Sequence, residues 1–210
     1  MQYMILSALS GICWSFVYVA IILKNYQDKT CGMPLFALTF NVAWELIFGV
    51  FTPGSISIQK GVNIIWSLLD LVIVFQYFKY AKKEFPKQYS KHFTLWSITA
   101  FISAFAIIIA FSREFSGFKG AQYAAYLQNL AMSILFIDML LRRNSVHGQS
   151  MLIAVFKMVG TLCPTLMVIF SKGSHLLITL GAVIFVFDLI YLLLLNDFLH
   201  TKKLNKELFA

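Results

Sequence analysis

Long apolar runs alternate with short polar connections along the whole chain, and the alternation repeats seven times. The runs cover residues 4–23, 33–51, 62–79, 93–112, 121–141, 150–171 and 176–195. Each holds about 18–22 mostly apolar residues, enough for a helix to cross a hydrocarbon core roughly 30 Å thick. Between them stand KNYQDKTCG, TPGSISIQKG, YAKKEFPKQYSKH, SREFSGFKG, RRNSVHG and SKGSH, none long enough for a soluble domain. The pattern predicts an all-α fold: one transmembrane domain over residues 1–210, a bundle of seven helices with no internal repeat. The first run starts at Met4 with no basic residue before it and no small-residue cleavage site after it, which reads as a retained helix rather than a signal peptide.

Composition agrees with the pattern. The chain is 60% hydrophobic and 12% charged, with a mean hydropathy of +0.78, against about 25% charged in soluble domains. A net charge of +8 would point a soluble protein toward nucleic acid. Here the basic residues sit at the ends of spans, so membrane lipids and not nucleic acid are the expected partner. Connections one, three and five and the C-terminal tail carry Lys24, Lys29, Lys79, Lys82, Lys83, Lys87, Lys91, Arg142, Arg143, Lys202, Lys203 and Lys206. The opposite side carries Lys60, Arg113, Lys119 and Lys172. Twelve against four places the C-terminus in the cytoplasm and the N-terminus outside or in a lumen. Cys13, Cys31 and Cys163 show neither a disulfide framework nor metal spacing, and the four histidines fall in connections or tails, so no metal site is expected.

The buried charges carry the candidate chemistry. Of nine acids, Glu45, Asp70, Asp138 and Asp188 lie inside spans, and Lys157 joins them in the sixth. An ionisable group in a bilayer is costly unless neutralised, paired or used. Asn41, Trp44, Glu45 and Phe48 follow i, i+3, i+4, i+7 spacing and share one face of the second helix. The third helix repeats the theme with Trp66, Asp70 and Tyr77, the seventh has Asp188 and Tyr191, and the fifth Asn129 and Ser133. Tryptophan and tyrosine faces alone are ordinary in belts and cores. Asp138 lies four residues before Arg142, the spacing of an interfacial ion pair. Lys157 at its depth needs a carboxylate, either as a tether between helices or as part of a site. At 1.5 Å per residue, Glu45 lies about 9 Å below the outer boundary and Asp188 about 18 Å, so the two would bracket a cavity on the order of 10 Å long.

A carboxyl group in a dry pocket favours its neutral form and can donate a proton to a substrate arriving from lipid. Aromatic faces can stabilise a carbocation, and a second carboxylate can serve as counter-charge or final base. These residue types make proton-initiated polyene cyclisation possible without selecting it.

The stretch MPLFALTFNVAWELIF resembles the second-helix signature of the integral-membrane, meroterpenoid-type terpene cyclases, the seven-helix family of the fungal paspaline and pyripyropene cyclases and the bacterial drimentane-indole cyclases. IIWSLLDLVI, YLQNLAMSILFIDML, GQSMLIAVFKMVGT and VFDLIYLLLL resemble its later helices, so the likeness spans residues 33–195. The first helix offers nothing that matches. The resemblance implies a terpene cyclase of isomerase or lyase type, with the second-helix glutamate and the late-helix aspartate falling on Glu45 and Asp188 and Asp70 as a further candidate. Asn41, Trp44, Trp66, Tyr77, Asn129, Lys157 and Tyr191 would line the substrate. Neither a DxDD acid motif nor a magnesium-binding DDxxD occurs. No cofactor, no metal and no obligate protein partner are expected, and the substrate would be a hydrophobic prenylated small molecule, epoxidised or olefinic, without its diphosphate. The membrane would be endoplasmic reticulum in a eukaryote or the cytoplasmic membrane in a bacterium. The alternative is a small seven-helix proton-coupled transporter, which intramembrane acids also suit but which the missing repeat disfavours. A retinal protein would need a lysine in the last span, where residues 176–195 have none. A receptor has little partner surface on such short connections.

Overall fold

The computed structural model describes residues 1–51, 58–115 and 118–208, with side chains described except at 58, 59 and 202–208. Lys202, Lys203 and Lys206, counted above toward the cytoplasmic side, are among those outside the described side chains. The described chain is all-helical: α1 Gln2–Asp28, α2 Leu35–Glu45 continuing as a π-helical segment Leu46–Phe51, α3 Ile58–Tyr80, α4 Phe93–Glu114, α5 Lys119–Arg143, α6 Met151–Phe170 and α7 His175–Leu208. Short 3-10 turns, Ala81–Lys83 and Lys87–His92, join α3 to α4.

Local sequence explains several ends. Pro34 is extended (φ −59°, ψ 143°) and starts α2 two residues later than the apolar run suggests. Asn144 ends α5 in the left-handed region (φ 47°), which asparagine tolerates better than most residues. The Ser150 hydroxyl accepts the Ile153 N–H and caps α6. Helix α7 runs on past residue 195 to Leu208, because the tail is rich in leucine and lysine, good helix formers, although it is no longer apolar.

Among the described residues, six helices are long and apolar enough to cross a membrane, and the second, Leu35–Phe51, is apolar but shorter. Helix α1 packs on α6, α5 and α6 pack on α7, and α2 sits among α3, α4 and α5. The outer surface is apolar: Ile12, Leu68, Phe75, Ile102 and Leu193 are each at least 60% exposed. Asn25, Asn41, Glu45, Asp70, Lys157 and Asp188 are buried. Apolar outside with polar groups paired inside is the arrangement a lipid solvent favours.

The end of the bundle with connections one, three and five is clasped. Arg143 Nη2 donates to the Cys31 carbonyl at 2.8 Å and to Glu84 Oε2 at 2.6 Å. The Thr30 hydroxyl donates to the other Glu84 oxygen. The Gly148 N–H donates to Asp28 at 2.7 Å, from a backbone φ of 77° that suits glycine. Burial there pushes the Cys31 thiol up to about 11.

Candidate active site

Helix α2 places the site. Its α spacing ends at Glu45 and gives way to π spacing over Leu46–Phe51, and π segments recur at functional sites. Gly49 lets this wider turn close on α3, since a Cβ there would stand 2.6 Å from that of Asn63. Glu45 is 1% exposed. It forms one wall of a cavity of about 260 Å³ at the end of the bundle where α1 and α5 begin and α2 and α6 finish. Trp14, Tyr18, Trp44 and Trp66 supply aromatic faces, and Gln128, Asn129 and Thr161 supply polar ones. Phe118, 66% exposed, lines the mouth.

Each aromatic is held. Trp44 Nε1 donates to the Ala121 carbonyl at 2.8 Å, and Trp66 Nε1 donates to Ser15 Oγ at 3.0 Å. The Tyr18 ring stacks on Trp66 with centroids 6.0 Å apart. Gly160 lets Trp14 lie against α6, because a Cβ would meet its ring at 3.0 Å.

Around Glu45 the polar groups form one network. The Tyr18 hydroxyl donates to Glu45 Oε1 and accepts from Asn41 Nδ2. Asn41 Nδ2 also reaches Glu45 Oε1 at 3.3 Å and Asp70 Oδ2 at 3.0 Å, so one amide bridges both acids. Gln128 Nε2 lies 3.4 Å from Asn41 Oδ1. Among the described residues no donor reaches Glu45 Oε2 or Asp70 Oδ1. Two neighbouring carboxyl groups, each with an oxygen lacking a donor, are satisfied when one of them carries a proton.

The sequence candidates therefore separate. Glu45, Asn41, Trp44, Trp66 and Asn129 line the cavity, and Asp70 stands behind Asn41, fully buried. Asp188, expected to share the cavity with Glu45, is not among its lining residues. It pairs with Lys157 at 2.6 Å, and Lys157 also donates to Ser133 Oγ at 2.7 Å. Ser133 and Lys157 lie one turn beyond Asn129 and Thr161, about 6 Å below the cavity floor. Tyr191 donates to Gln149 Oε1 at 2.8 Å. Tyr77 bonds Ser97 at 2.9 Å and faces a different cavity, of about 700 Å³, beside the Arg143 clasp. Depth along the helices accounts for these placements: Tyr77 lies on α3 about 16 Å beyond Trp66, and Asp188 sits at the level of Lys157 below the cavity floor.

Residues that the pattern passed over also belong to the site. Tyr18, Trp14, Gln128 and Thr161 line the cavity, and Ser10 donates to the Gly160 carbonyl at 2.7 Å at its rim. One signal was available for Ser10: Pro164 inside α6 has no N–H for the carbonyl four residues back, which is that of Gly160. Among the described residues no three His, Cys, Asp or Glu side chains cluster as a metal site would require.

A membrane bundle with a buried carboxyl network beside an aromatic cavity defines a class, and comparison with known proteins identifies it. The family model of Pyr4-like transmembrane terpene cyclases matches residues 1–198, and the chain belongs to that family. It is 26% identical to terpene cyclase andB of Emericella variicolor over 77% of this chain and 70% of the relative. It is 27% identical to Pyr4-family terpene cyclase mfmH of Annulohypoxylon moriforme, over 79% and 69%. Against terpene cyclase pyr4 of Aspergillus fumigatus the identity is 29%, over 72% and 64%. No solved structure matches. The chain is a membrane terpene cyclase, and the transporter alternative falls away.

Proposed function

We propose that the enzyme cyclises a prenylated aromatic or related meroterpenoid substrate by proton initiation, with Glu45 as the acid. The observation that carries this reading is the Glu45 carboxyl on the wall of an aromatic cavity, with one oxygen held by the Tyr18 hydroxyl and the other without a donor among the described residues. The transferable proton passes to a terminal epoxide oxygen or olefin carbon. With an epoxide the C–O bond breaks and its electron pair stays on oxygen as a hydroxyl. The carbon cation is then captured by successive double bonds, each π pair becoming a C–C bond. A final C–H proton returns to a carboxylate, so the reaction is an isomerisation that regenerates the acid. Trp14, Trp44, Trp66 and Tyr18 present negative ring faces to the migrating charge. Asp70 is read as the partner that shares the proton with Glu45 across the hydrogen bond between the two carboxyl groups, with the Asn41 amide steadying both. Asp188, bonded to Lys157 beneath the cavity, is read as the counter-charge, with Asn129 and Thr161 between.

All seven helices are read as crossing the bilayer, with the N-terminus outside or lumenal and the C-terminus cytoplasmic. Charge bias in the connections supports that orientation. It puts the cavity mouth in the outer half, where a hydrophobic prenyl chain can enter from lipid. Endoplasmic reticulum or a bacterial cytoplasmic membrane both suit it. No cofactor or protein partner is invoked.

Glu45→Gln keeps the shape of the side chain and removes the transferable proton. The variant is expected to fold and bind substrate while losing at least about a hundredfold in cyclisation of epoxidised and olefinic prenyl-aromatic substrates. A purely structural glutamate behaves differently, because a neutral amide is easier to bury and the rate would stay at the parent value. Glu45→Asp retains the acid but withdraws it by one methylene, which controls for misplacement.

A further inference from the structure

Helix α1 carries no acid within residues 4–23, yet it reaches the Glu45 carboxyl with one side chain. We infer that Tyr18 is a positioning residue of the cyclase: its hydroxyl holds Glu45 Oε1, so that the transferable proton is carried on Oε2. The inference rests on Glu45 being the acid.

Hydrogen-bond accounting leads to it. An amide nitrogen only donates. The Asn41 amide is oriented by its surroundings, with its nitrogen toward Glu45 and Asp70 and its oxygen toward Gln128 Nε2. Tyr18 accepts from that nitrogen, so its single proton is left for Glu45 Oε1. The two Asn41 hydrogens go to the nearer Tyr18 and Asp70 oxygens, so Tyr18 is the donor that Oε1 keeps, while Oε2 has none among the described residues. A carboxyl proton placed on Oε1 would collide with the Tyr18 hydrogen, whereas one on Oε2 meets no other hydrogen.

The same bond acts differently before and after transfer. A hydroxyl donating to a neutral carboxyl makes an ordinary hydrogen bond, and on a carboxylate it becomes charge-assisted and roughly twice as strong. The gain appears as the proton leaves, so it lowers the barrier rather than strengthening substrate binding. Tyr18 is 3% exposed and stacked on Trp66, so its position does not depend on substrate.

The test is Tyr18→Phe in the full-length protein, which removes the hydroxyl and keeps the ring on Trp66. Parent, Tyr18→Phe and Glu45→Gln are assayed with one epoxidised prenyl-aromatic substrate. The expected result is a kcat roughly ten- to a hundredfold lower, a KM within about twofold of the parent, and a displaced alkaline limb in the pH–rate profile. Infrared spectra give a readout independent of turnover. The carboxyl C=O band that disappears in Glu45→Gln should move in Tyr18→Phe, because a donor to that carbonyl is lost. Parent kcat with an unmoved band overturns the inference. So does a loss confined to KM, which would make Tyr18 a substrate contact. If Glu45→Gln keeps the parent rate, Glu45 is not the acid and the underlying reading fails. If Glu45→Gln is inactive while Tyr18→Phe is parent-like, the role assigned to Tyr18 alone is wrong.

Discussion

A buried carboxyl group is judged by its partners, and the four intramembrane acids divide on that ground. Among the described residues, Glu45 and Asp70 share the Asn41 amide and have no cation beside them, and Glu45 Oε2, Asp70 Oδ1 and Asp188 Oδ2 each lack a donor. Asp188 is held by Lys157 with both side chains at most 2% exposed. Asp138 belongs elsewhere: its side chain is 45% exposed and meets Arg142 at 2.7 Å, as the i, i+4 spacing anticipated. Exposed pairs contribute about 0–1 kcal/mol. Asp138→Asn should therefore shift thermal unfolding in detergent little and leave turnover near the parent rate. An inactive but folded and substrate-binding variant would show that Asp138 had been placed wrongly. Asn41, Trp44 and Glu45 were legible as a group because three spacings on one helix put them on one face. Tyr18 was not, since a tyrosine among aliphatic neighbours looks the same whether it anchors at an interface or meets an acid on another helix.

Within single elements, two irregular helices shape the cavity. Helix α2 widens to π spacing after Glu45, and α6 contains Pro164 on the cavity wall. The proline leaves the Gly160 carbonyl without its helical donor, and Ser10 of α1 supplies one at 2.7 Å. Interhelical bonds of this kind are worth about 0.6–2 kcal/mol. Ser10→Ala is expected to lower unfolding stability by that amount. In a Pro164→Ala background the restored N–H can satisfy Gly160, so the same serine change should cost markedly less. Equal losses in both backgrounds, measured as a double-mutant cycle, would show that the Ser10 hydroxyl does not replace the missing bond.

Across the whole molecule, the bundle is tied below the cavity as well as around it. The Arg143 clasp joins connections one, three and five, and the Lys157–Asp188–Ser133 group joins α5, α6 and α7 beneath the cavity. Removing one member of a buried ion pair typically costs about 3–5 kcal/mol, because the other charge stays buried alone, while replacing both by apolar groups is often neutral. Lys157→Met and Asp188→Leu singly are expected to destabilise by that order, and the double variant to recover the parent's unfolding midpoint. Failure of the double variant to recover would mean that the pair does more than hold three helices together.

The sequence by itself determined the solvent and the elements. Sixty per cent hydrophobic composition, seven apolar runs and charged connections specify an all-helical membrane chain, because in lipid every backbone polar group must be satisfied within its own segment. The same local logic marked Glu45, Asp70, Asp138, Lys157 and Asp188 as buried charges that need a reason. Only the tertiary structure decided which of them meet. It set Tyr18 against Glu45, Asp70 behind Asn41, and Lys157 onto Asp188 rather than leaving Asp188 beside the cavity. Periodicity is a property of one segment, whereas the rotation and register of packed helices sum many small contacts spread over all of them. Partners from different helices therefore appear only once the bundle is assembled.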